Sequence, residues 1–206
     1  MISPAEVAKL AHQEGVRDRA IEKDYVLSWL LVAVAESDLR ARLVFKGGTA
    51  LKRCYYPDYR YSEDLDFSLC EDLPHDGLVS AFQALFPLLA QRLNLTLAMR
   101  SAEQSLFESS TLLIDYVGPL RARLGSRHLK VDVTRGELLL YDPSERPLDA
   151  PYSDYPREAT LPTYTLQEIM AEKLCALMGR TEPRDLYDVY WLFERGHVDW
   201  SFLPAD

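Results

Sequence analysis

Two short patterns, one of glycines and one of carboxylates, contain the residues of this sequence best suited to chemistry. Gly47, Gly48 and Thr49 stand together, and Asp64 and Asp66 follow about one helix later inside an apolar run. Glycines let backbone amides approach a phosphate closely, and a helix beginning there would add its positive end. In a strand, side chains two residues apart point to the same face, so both carboxylates would suit Mg²⁺ ions that bridge nucleotide phosphates. The combination predicts nucleotidyl transfer.

A third carboxylate, Asp132, is a candidate partner for this pair. It lies between two valines in a later apolar run, as Asp66 lies between a leucine and a phenylalanine. An isolated Asp-x-Asp pattern is often only an exposed acidic edge, and polar residues alternating around Asp132 are also typical of a solvent-facing strand. Buried aspartates, however, need cations or donors. Asp64, Asp66 and Asp132 are therefore candidate metal ligands, and Asp132 is alternatively a base for an incoming hydroxyl group.

The C-terminal part of the chain supplies basic candidates and one more acid. Lys173 borders an apolar helix face, where its amine could extend to solvent, pair with nearby acids, or neutralise a triphosphate as a point charge. Asp185 stands near a predicted helix start, where the helix dipole alone would favour an acid. Arg180 and Arg184 could equally form structural ion pairs.

A basic island interrupts the acidic middle of the chain. It consists of Arg121, Arg123, Arg127 and Lys130, with no acidic residue among them. The island is either a solvated hairpin loop or a contact for a phosphate backbone or a triphosphate. The net charge of −9 argues against broad nonspecific binding of nucleic acid.

Capping signals and apolar periodicity predict the elements that position these residues. The predicted helices cover about 3–15, 18–36, 76–93, 165–178 and 183–196, with a short helix from 47 to 55; the predicted strands cover 43–46, 65–69, 95–99, 111–117 and 129–133, with a shorter candidate at 138–141. This order predicts an α+β fold with a small mixed sheet of four or five strands flanked by helices. We expect a core with N-terminal helices over 1–142, a proline-rich irregular connection over 143–162, and a C-terminal helical segment over 163–206 that completes the nucleotide site.

The apolar runs, the N-terminal segment and the cysteines bear on the cellular location of the protein. No apolar run approaches the roughly 20 residues that span a bilayer, and the N-terminus lacks a signal-like segment, so we expect a cytoplasmic protein without membrane contact. Cys54, Cys70 and Cys175 form no metal-binding spacing and are predicted to be small buried residues in a reducing compartment.

Taken in order, the segments 47–51, 60–67 and 172–188 closely resemble the AbiEii/AbiGii-type nucleotidyltransferase toxins. These belong to the DNA polymerase β-like nucleotidyltransferase superfamily and include type IV toxin–antitoxin toxins and the related MenT toxins. The resemblance implies a nucleotidyltransferase fold, an NTP donor, Mg²⁺ in a two-metal site, and a cognate antitoxin protein. In MenT-type relatives the acceptor is the 3′ end of tRNA.

The resemblance also implies roles for individual residues. Asp64, Asp66, Lys173 and Asp185 are the catalytic candidates, with Asp64 and Asp66 as metal ligands. The candidates for holding the nucleotide are Lys46, Gly48, Thr49, Ser62, Lys173, Arg180 and Arg184. The spacing from Thr49 to Asp64 exceeds the shortest form of the superfamily pattern, so the loop over 54–61 must bulge.

Two other classes of function fit parts of the pattern. A nucleotidyltransferase fold could modify a protein or small molecule, or bind nucleotide without turnover; retention of Asp64, Asp66, Lys173 and Asp185 argues against the loss of turnover. A metal-dependent glycosyltransferase would share the aspartate pair, but nothing else in the sequence indicates a nucleotide-sugar pocket.

Overall fold

The structure is a computed structural model and describes residues 1–106, 109–180 and 182–195. The helices are α1 (Pro4–Glu14), α2 (Asp18–Ala35), α3 (Gly47–Ala50), α4 (His75–Leu93), α5 (Leu166–Gly179) and α6 (Pro183–Glu194). The strands are β1 (Leu43–Lys46), β2 (Asp64–Leu69), β3 (Thr96–Gln104), β4 (Ser110–Val117), β5 (His128–Arg135), β6 (Ser144–Pro147) and β7 (Thr160–Thr163). A 3₁₀ turn covers Asp38–Ala41, and a π-helical turn over Leu51–Tyr55 continues α3.

Local capping sets the helix ends where the sequence predicts them. The Ser3 side chain accepts a hydrogen bond from the amide of Glu6, and Gly15 closes α1 in the left-handed region with φ of 66°. Thr165 caps α5 in the same way by accepting from the amide of Glu168. The predicted end of the last helix at Gly196 lies outside the described residues.

One mixed sheet organises the molecule, with the strand order β3-β4-β5-β2-β1-β7-β6. At its centre β2 pairs antiparallel with β1 and parallel with β5. Leu65 and Phe67 stand opposite Val131 and Val133, and all four are fully buried. The alternate residues of β2 and β5 face the other side of the sheet, where the polar site forms.

Helix α2 runs through the core of the molecule. Nearly every residue from Ile21 to Val34 is buried, because α1 and α4 both pack against this helix and α4 also packs against β3. Its predicted apolar surface is therefore covered by neighbouring elements.

The sheet is larger than the four or five strands predicted, because two strands lie within the segment expected to be an irregular proline-rich connection. β6 pairs antiparallel with β7, and β7 pairs parallel with β1 through Phe45 and Thr163. Pro147 ends β6 at the sheet edge, where a residue without an amide proton is tolerated. The candidate strand at 138–141 does not form, and the chain there is irregular.

The prediction of three buried cysteines is wrong for two of them. Cys70 and Cys175 are exposed and Cys54 is partly buried, although all three are free thiols. Cys70 follows the last residue of β2, and Cys175 lies on an exposed position of α5, so neither reaches the core.

Among the helices of the described residues, none is both long and apolar enough to cross a membrane.

Candidate functional site

A cavity of about 420 Å³ lies against the polar face of β2 and β5. It is lined by Gly48, Arg60, Tyr61, Ser62, Glu63, Asp64, Asp66, Lys130, Asp132, Lys173, Arg180 and Arg184. Eight of the eleven site residues expected from the sequence line it: Gly48, Ser62, Asp64, Asp66, Asp132, Lys173, Arg180 and Arg184.

The strand register brings the carboxylates together. Asp66 stands directly opposite Asp132 in the parallel β2–β5 pair, and Asp64 stands opposite Lys130. Burial, together with the neighbouring charges of Asp132 and Asp64, raises the pKa of Asp66 to about 6. The site thus holds negative charges close together at an energetic disadvantage that a bound cation would relieve.

Asp132 already has polar partners on its own side of the site. One of its carboxylate oxygens accepts a hydrogen bond from Thr111 Oγ1 at 2.7 Å, and the other lies 2.6 Å from Lys130 Nζ. Among the described residues, no group of three or more His, Cys, Asp or Glu side chains converges closely enough to hold a metal ion. The donor chemistry of Asp64 and Asp66 nevertheless fits Mg²⁺, which prefers carboxylate oxygens. Asp132 would become a ligand only if Lys130 moved away from it.

The glycine turn is shaped around the carboxylate of Asp66. Gly47 has a φ of 78°, and a Cβ atom there would lie 2.5 Å from Asp66 Oδ2, so only glycine fits on both grounds. Thr49 is buried, and its hydroxyl donates a 2.6 Å hydrogen bond to the backbone carbonyl of Asp64. The turn is thereby fastened to the strand that carries the aspartates.

Another wall of the cavity is cationic, and two buried acids on α6 hold it in place. Asp185 and Asp188 are both fully buried. Lys173 Nζ lies 3.2 Å from Asp185 Oδ1 and 2.8 Å from Asp188 Oδ2, and Arg180 Nε lies 2.9 Å from Asp185 Oδ2. Burial opposes the ionisation of Asp185, but hydrogen bonds from Arg180 and Lys173 hold its pKa below the ordinary value.

Arg60 joins this wall from the loop before β2. Its guanidinium donates two hydrogen bonds to Asp188, from Nε at 2.7 Å and from Nη2 at 2.8 Å. The Tyr59 hydroxyl donates to the same carboxylate. Burial opposes the ionisation of Asp188 too, and hydrogen bonds from Arg60, Lys173 and Tyr59 lower its pKa. The cations therefore face the cavity while their counter-charges stand behind them.

The loop that carries Arg60 is the bulge expected from the long spacing between Thr49 and Asp64. Lys52 anchors it from the π-helical turn: its buried Nζ donates to the carbonyls of Tyr59 at 2.7 Å and Pro57 at 3.2 Å. The same ammonium lies 4.1 Å from the centre of the Tyr61 ring. Burial lowers the pKa of Lys52.

Three predicted site residues do not line the cavity. Lys46 is buried, and its Nζ lies 2.6 Å from Glu137 Oε1 and 2.7 Å from Glu172 Oε1, so its charge is engaged by two acids. The hydroxyl of Thr49 is engaged by the backbone, and Asp185 lies behind Lys173 and Arg180.

Sequence reasoning did not assign site roles to Arg60 or Asp188, and it considered Lys130 only within the basic island, as part of a solvated loop or of a phosphate contact. Arg60 and Asp188 fall inside the segments that carry the family resemblance, and Lys130 belongs to the basic island. A signal was therefore present for each, but the pairing of Arg60 with Asp188 joins residues 128 positions apart. Only the folded chain shows that one carboxylate orients both Arg60 and Lys173.

Comparison with known proteins gives a consistent result. The sequence profile of the family described as nucleotidyl transferase AbiEii toxin, type IV toxin–antitoxin system, matches residues 29–201. Comparison with curated proteins gave no significant match. The crystal structure of JHP933 from Helicobacter pylori is similar with a TM-score of 0.58 and 20% identity, covering 86% of this chain and 67% of that one.

A second crystal structure from H. pylori, described as a candidate nucleotidyltransferase, has a TM-score of 0.54 and 19% identity. The alignment covers 87% of this chain and 70% of the H. pylori chain. At these identities the two structures establish a shared fold, and the profile establishes the family.

Proposed function

The chain belongs to the AbiEii family of type IV toxin–antitoxin nucleotidyltransferases, and from that premise we propose that it moves a nucleoside monophosphate from an NTP to the 3′ end of a tRNA in a Mg²⁺-dependent reaction. The observation that carries this proposal is the division of one cavity into two halves. Carboxylates of β2 and β5, with Lys130 paired to Asp132, form one half, and the cations Arg60, Lys173, Arg180 and Arg184 form the other. A magnesium–triphosphate complex has the complementary distribution of charge.

The acidic half is proposed to act on the α-phosphate. Asp64 and Asp66 would hold Mg²⁺, with Asp132 joining them once released from Lys130. When bound, the metal neutralises charge on the α-phosphate and lowers the pKa of an acceptor hydroxyl. Asp132 is the alternative acceptor for the proton of that hydroxyl, because its carboxylate lies beside Asp66 in the register.

The basic half is proposed to hold the β- and γ-phosphates and to stabilise the departing pyrophosphate. Lys173 contributes a point charge, and the guanidinium groups of Arg60 and Arg180 add directed donors. Arg184 lines the same wall, while Gly48 and Ser62 line the cavity near the glycine turn. Asp185 and Asp188 act through these cations, which makes them positioning residues.

Lys46 and Thr49 are proposed to shape the site without touching the nucleotide. Thr49 fixes the glycine turn to β2 through the carbonyl of Asp64. Lys46 stands opposite Asp66 in the β1–β2 register, and its charge lowers the pKa of Asp66 against the larger effects of burial and neighbouring acids.

The acceptor and the partners are supported less directly. The resemblance to MenT-type toxins supports tRNA as the acceptor, and membership of a toxin–antitoxin family supports a cognate antitoxin protein. An NTP donor and a tRNA acceptor meet in the cytoplasm, which is where we propose that the protein acts.

A transfer assay tests the proposal. The protein would be incubated with each α-labelled NTP, Mg²⁺ and total tRNA, beside an Asp64→Ala/Asp66→Ala variant and an Asp72→Asn control, whose carboxylate is 98% exposed in the loop after β2. We expect label on tRNA with the wild type and the control, and none with the double variant. Label on a protein or small molecule instead would replace the tRNA acceptor, and full activity in the double variant would refute the metal assignment.

A further inference from the structure

A second cavity adjoins the proposed nucleotide site. It has a volume of about 480 Å³ and shares Tyr61, Ser62 and Glu63 with the first cavity as a common wall. Its other walls come from the first turns of α2 and from the segment that leads into β5. We call this second cavity the α2 groove.

The α2 groove is rich in positive charge. Arg17, Arg19, Lys23 and Arg127 line it, together with His128. Two acids also line the groove, and both are matched by cations. Asp24 forms a salt bridge with the buried Arg53, and Glu63 lies 3.1 Å from Lys23 Nζ.

Arg17 and Arg19 are the cations most available to a ligand. Both are exposed, and within the described part of the chain neither takes part in a salt bridge. Lys23 and Arg127, by contrast, form salt bridges with Glu63 and Glu22.

A buried acid ties the two walls of the groove together. Glu22 of α2 is fully buried, forms a salt bridge with Arg127, and accepts a 2.7 Å hydrogen bond from the amide of Leu120. A Cβ atom at Gly118 would lie 3.0 Å from the Glu22 side chain, so the backbone of this segment approaches α2 closely. The groove is thus a fixed feature of the fold.

Two of the four residues of the basic island line the two cavities. Arg127 lines the α2 groove, and three residues later Lys130 lines the nucleotide cavity. Cations at the start of β5 therefore border both cavities.

We infer that the α2 groove binds the phosphate backbone of the acceptor polynucleotide and directs its terminal hydroxyl toward Asp64 and Asp66. This inference rests on the proposed nucleotidyl transfer. The nucleotide cavity already has its own cations for a triphosphate, so a second set across a shared wall suits a second polyanion. Contacts to phosphates supply most of the affinity of such complexes and fix their register. Because the whole chain carries a net charge of −9, the groove concentrates the attraction in one place.

The test compares two double variants with the same change in charge. Arg17→Gln/Arg19→Gln removes the available cations of the groove, and Arg42→Gln/Arg92→Gln removes two surface cations that lie outside both cavities. Arg17 makes no side-chain cap to α2, so its replacement leaves the helix start intact. Fluorescence anisotropy with labelled tRNA at several salt concentrations gives the affinity, and NTP-dependent thermal stabilisation reports on the nucleotide cavity.

We expect the groove variant to bind tRNA roughly tenfold more weakly, with a salt dependence reduced by about two phosphate contacts. Its stabilisation by NTP should be unchanged, and the surface variant should bind tRNA like the wild type. The inference fails if the wild type does not bind tRNA, if the groove variant binds equally well, or if both variants weaken alike. These binding results need no turnover, so they are separate from a failure of the transfer assay.

Discussion

Asp66 is the residue at which burial and neighbouring charge oppose ionisation most clearly. Its carboxylate lies against the Cα atom of Gly47, beside Asp64 on the same strand and opposite Asp132 on the next. A structural aspartate in such a position would normally have a donor or a cation as its first partner. In this site the neighbours that dominate are acids, which is the arrangement expected of a metal ligand.

The raised pKa of Asp66 predicts a pH dependence of magnesium binding. The folded-state pKa of Asp66 is about 6, above the ordinary value of 3.8. Between these two pH values, the folded metal-free protein therefore binds a proton at Asp66 that the unfolded chain has released. This group therefore favours the folded state more as the pH falls through that window, and opposes it above pH 6. A cation competes with the proton, so we expect Mg²⁺ to raise the melting temperature more at pH 8 than at pH 5. Equal shifts at both values would contradict a role for Asp66 in binding Mg²⁺.

Gly47 gives a second prediction at the scale of single residues. Gly47→Ala places a methyl group against the Asp66 carboxylate. Gly136 has a similar φ of 66°, but a Cβ atom there would have no neighbouring atom within 4 Å, so Gly136→Ala is the control. Gly136→Ala should lose about 1 kcal/mol of stability from backbone strain alone. Gly47→Ala should lose more and should also lose its stabilisation by Mg²⁺·NTP. Thermal unfolding with and without the ligand measures both effects, and identical behaviour of the two variants would show that the close approach is unimportant.

The loop before β2 depends on one buried cation contributed by the preceding π-helical turn. Lys52 satisfies the carbonyls of Pro57 and Tyr59, and the next residue, Arg60, enters the nucleotide cavity. Lys52→Met keeps the aliphatic stem and removes the donors, so we expect faster amide exchange over residues 57–61 and a higher KM for NTP. Lys9→Met, at an exposed position of α1, is the control. An unchanged KM in Lys52→Met would show that the loop holds its position without this contact.

Helix α6 orients the basic wall through Asp188. Removing its charge in Asp188→Asn leaves Arg60 and Lys173 without their shared partner, and breaking a buried ion pair costs about 3–5 kcal/mol. We expect a loss of this size in chemical denaturation, together with weaker NTP binding. Asp142→Asn, at an exposed position, should change neither quantity. A stable Asp188→Asn variant with normal affinity for NTP would contradict the positioning role.

The elements that the sequence predicts well are those specified by local pattern. Alternation places Leu65 and Phe67 on one face of β2 and Asp64 and Asp66 on the other, and the capping residues of α1 and α5 mark their helix starts. These features depend on residues a few positions apart, so the sequence contains them directly.

The features that the sequence does not predict depend on distant partners. In the sequence, Lys46 has the charge expected of a phosphate ligand. In the folded protein its ammonium group pairs with Glu137 and Glu172, which lie 91 and 126 positions away in the sequence. The segment of β6 and β7 contains prolines, which normally argue against strands. Both strands form because β7 pairs with β1, and β6 then pairs with β7 at the edge of the sheet. In each case tertiary contacts override the local signal.

In the molecule as a whole, an acidic protein presents two adjoining cavities, each lined by several cations. The nucleotide cavity and the α2 groove meet at Tyr61, Ser62 and Glu63, and the whole chain has a net charge of −9. Such a distribution guides polyanions toward one region and disfavours binding elsewhere. In the proposed reaction, the NTP and the acceptor would bind on opposite sides of the wall that the two cavities share.

The acidic and basic halves of the cavity are proposed to bind one magnesium–triphosphate complex. The most direct measurement is the dissociation constant of a non-hydrolysable NTP, by calorimetry with and without Mg²⁺, for the wild type, Asp66→Asn and Asp72→Asn. We predict that Mg²⁺ tightens binding about tenfold or more in the wild type and in Asp72→Asn, and has no effect in Asp66→Asn, because only the last variant lacks a metal ligand. Binding that is independent of Mg²⁺ in the wild type, or an undiminished Mg²⁺ effect in Asp66→Asn, would show that Asp66 does not hold a metal ion for the nucleotide.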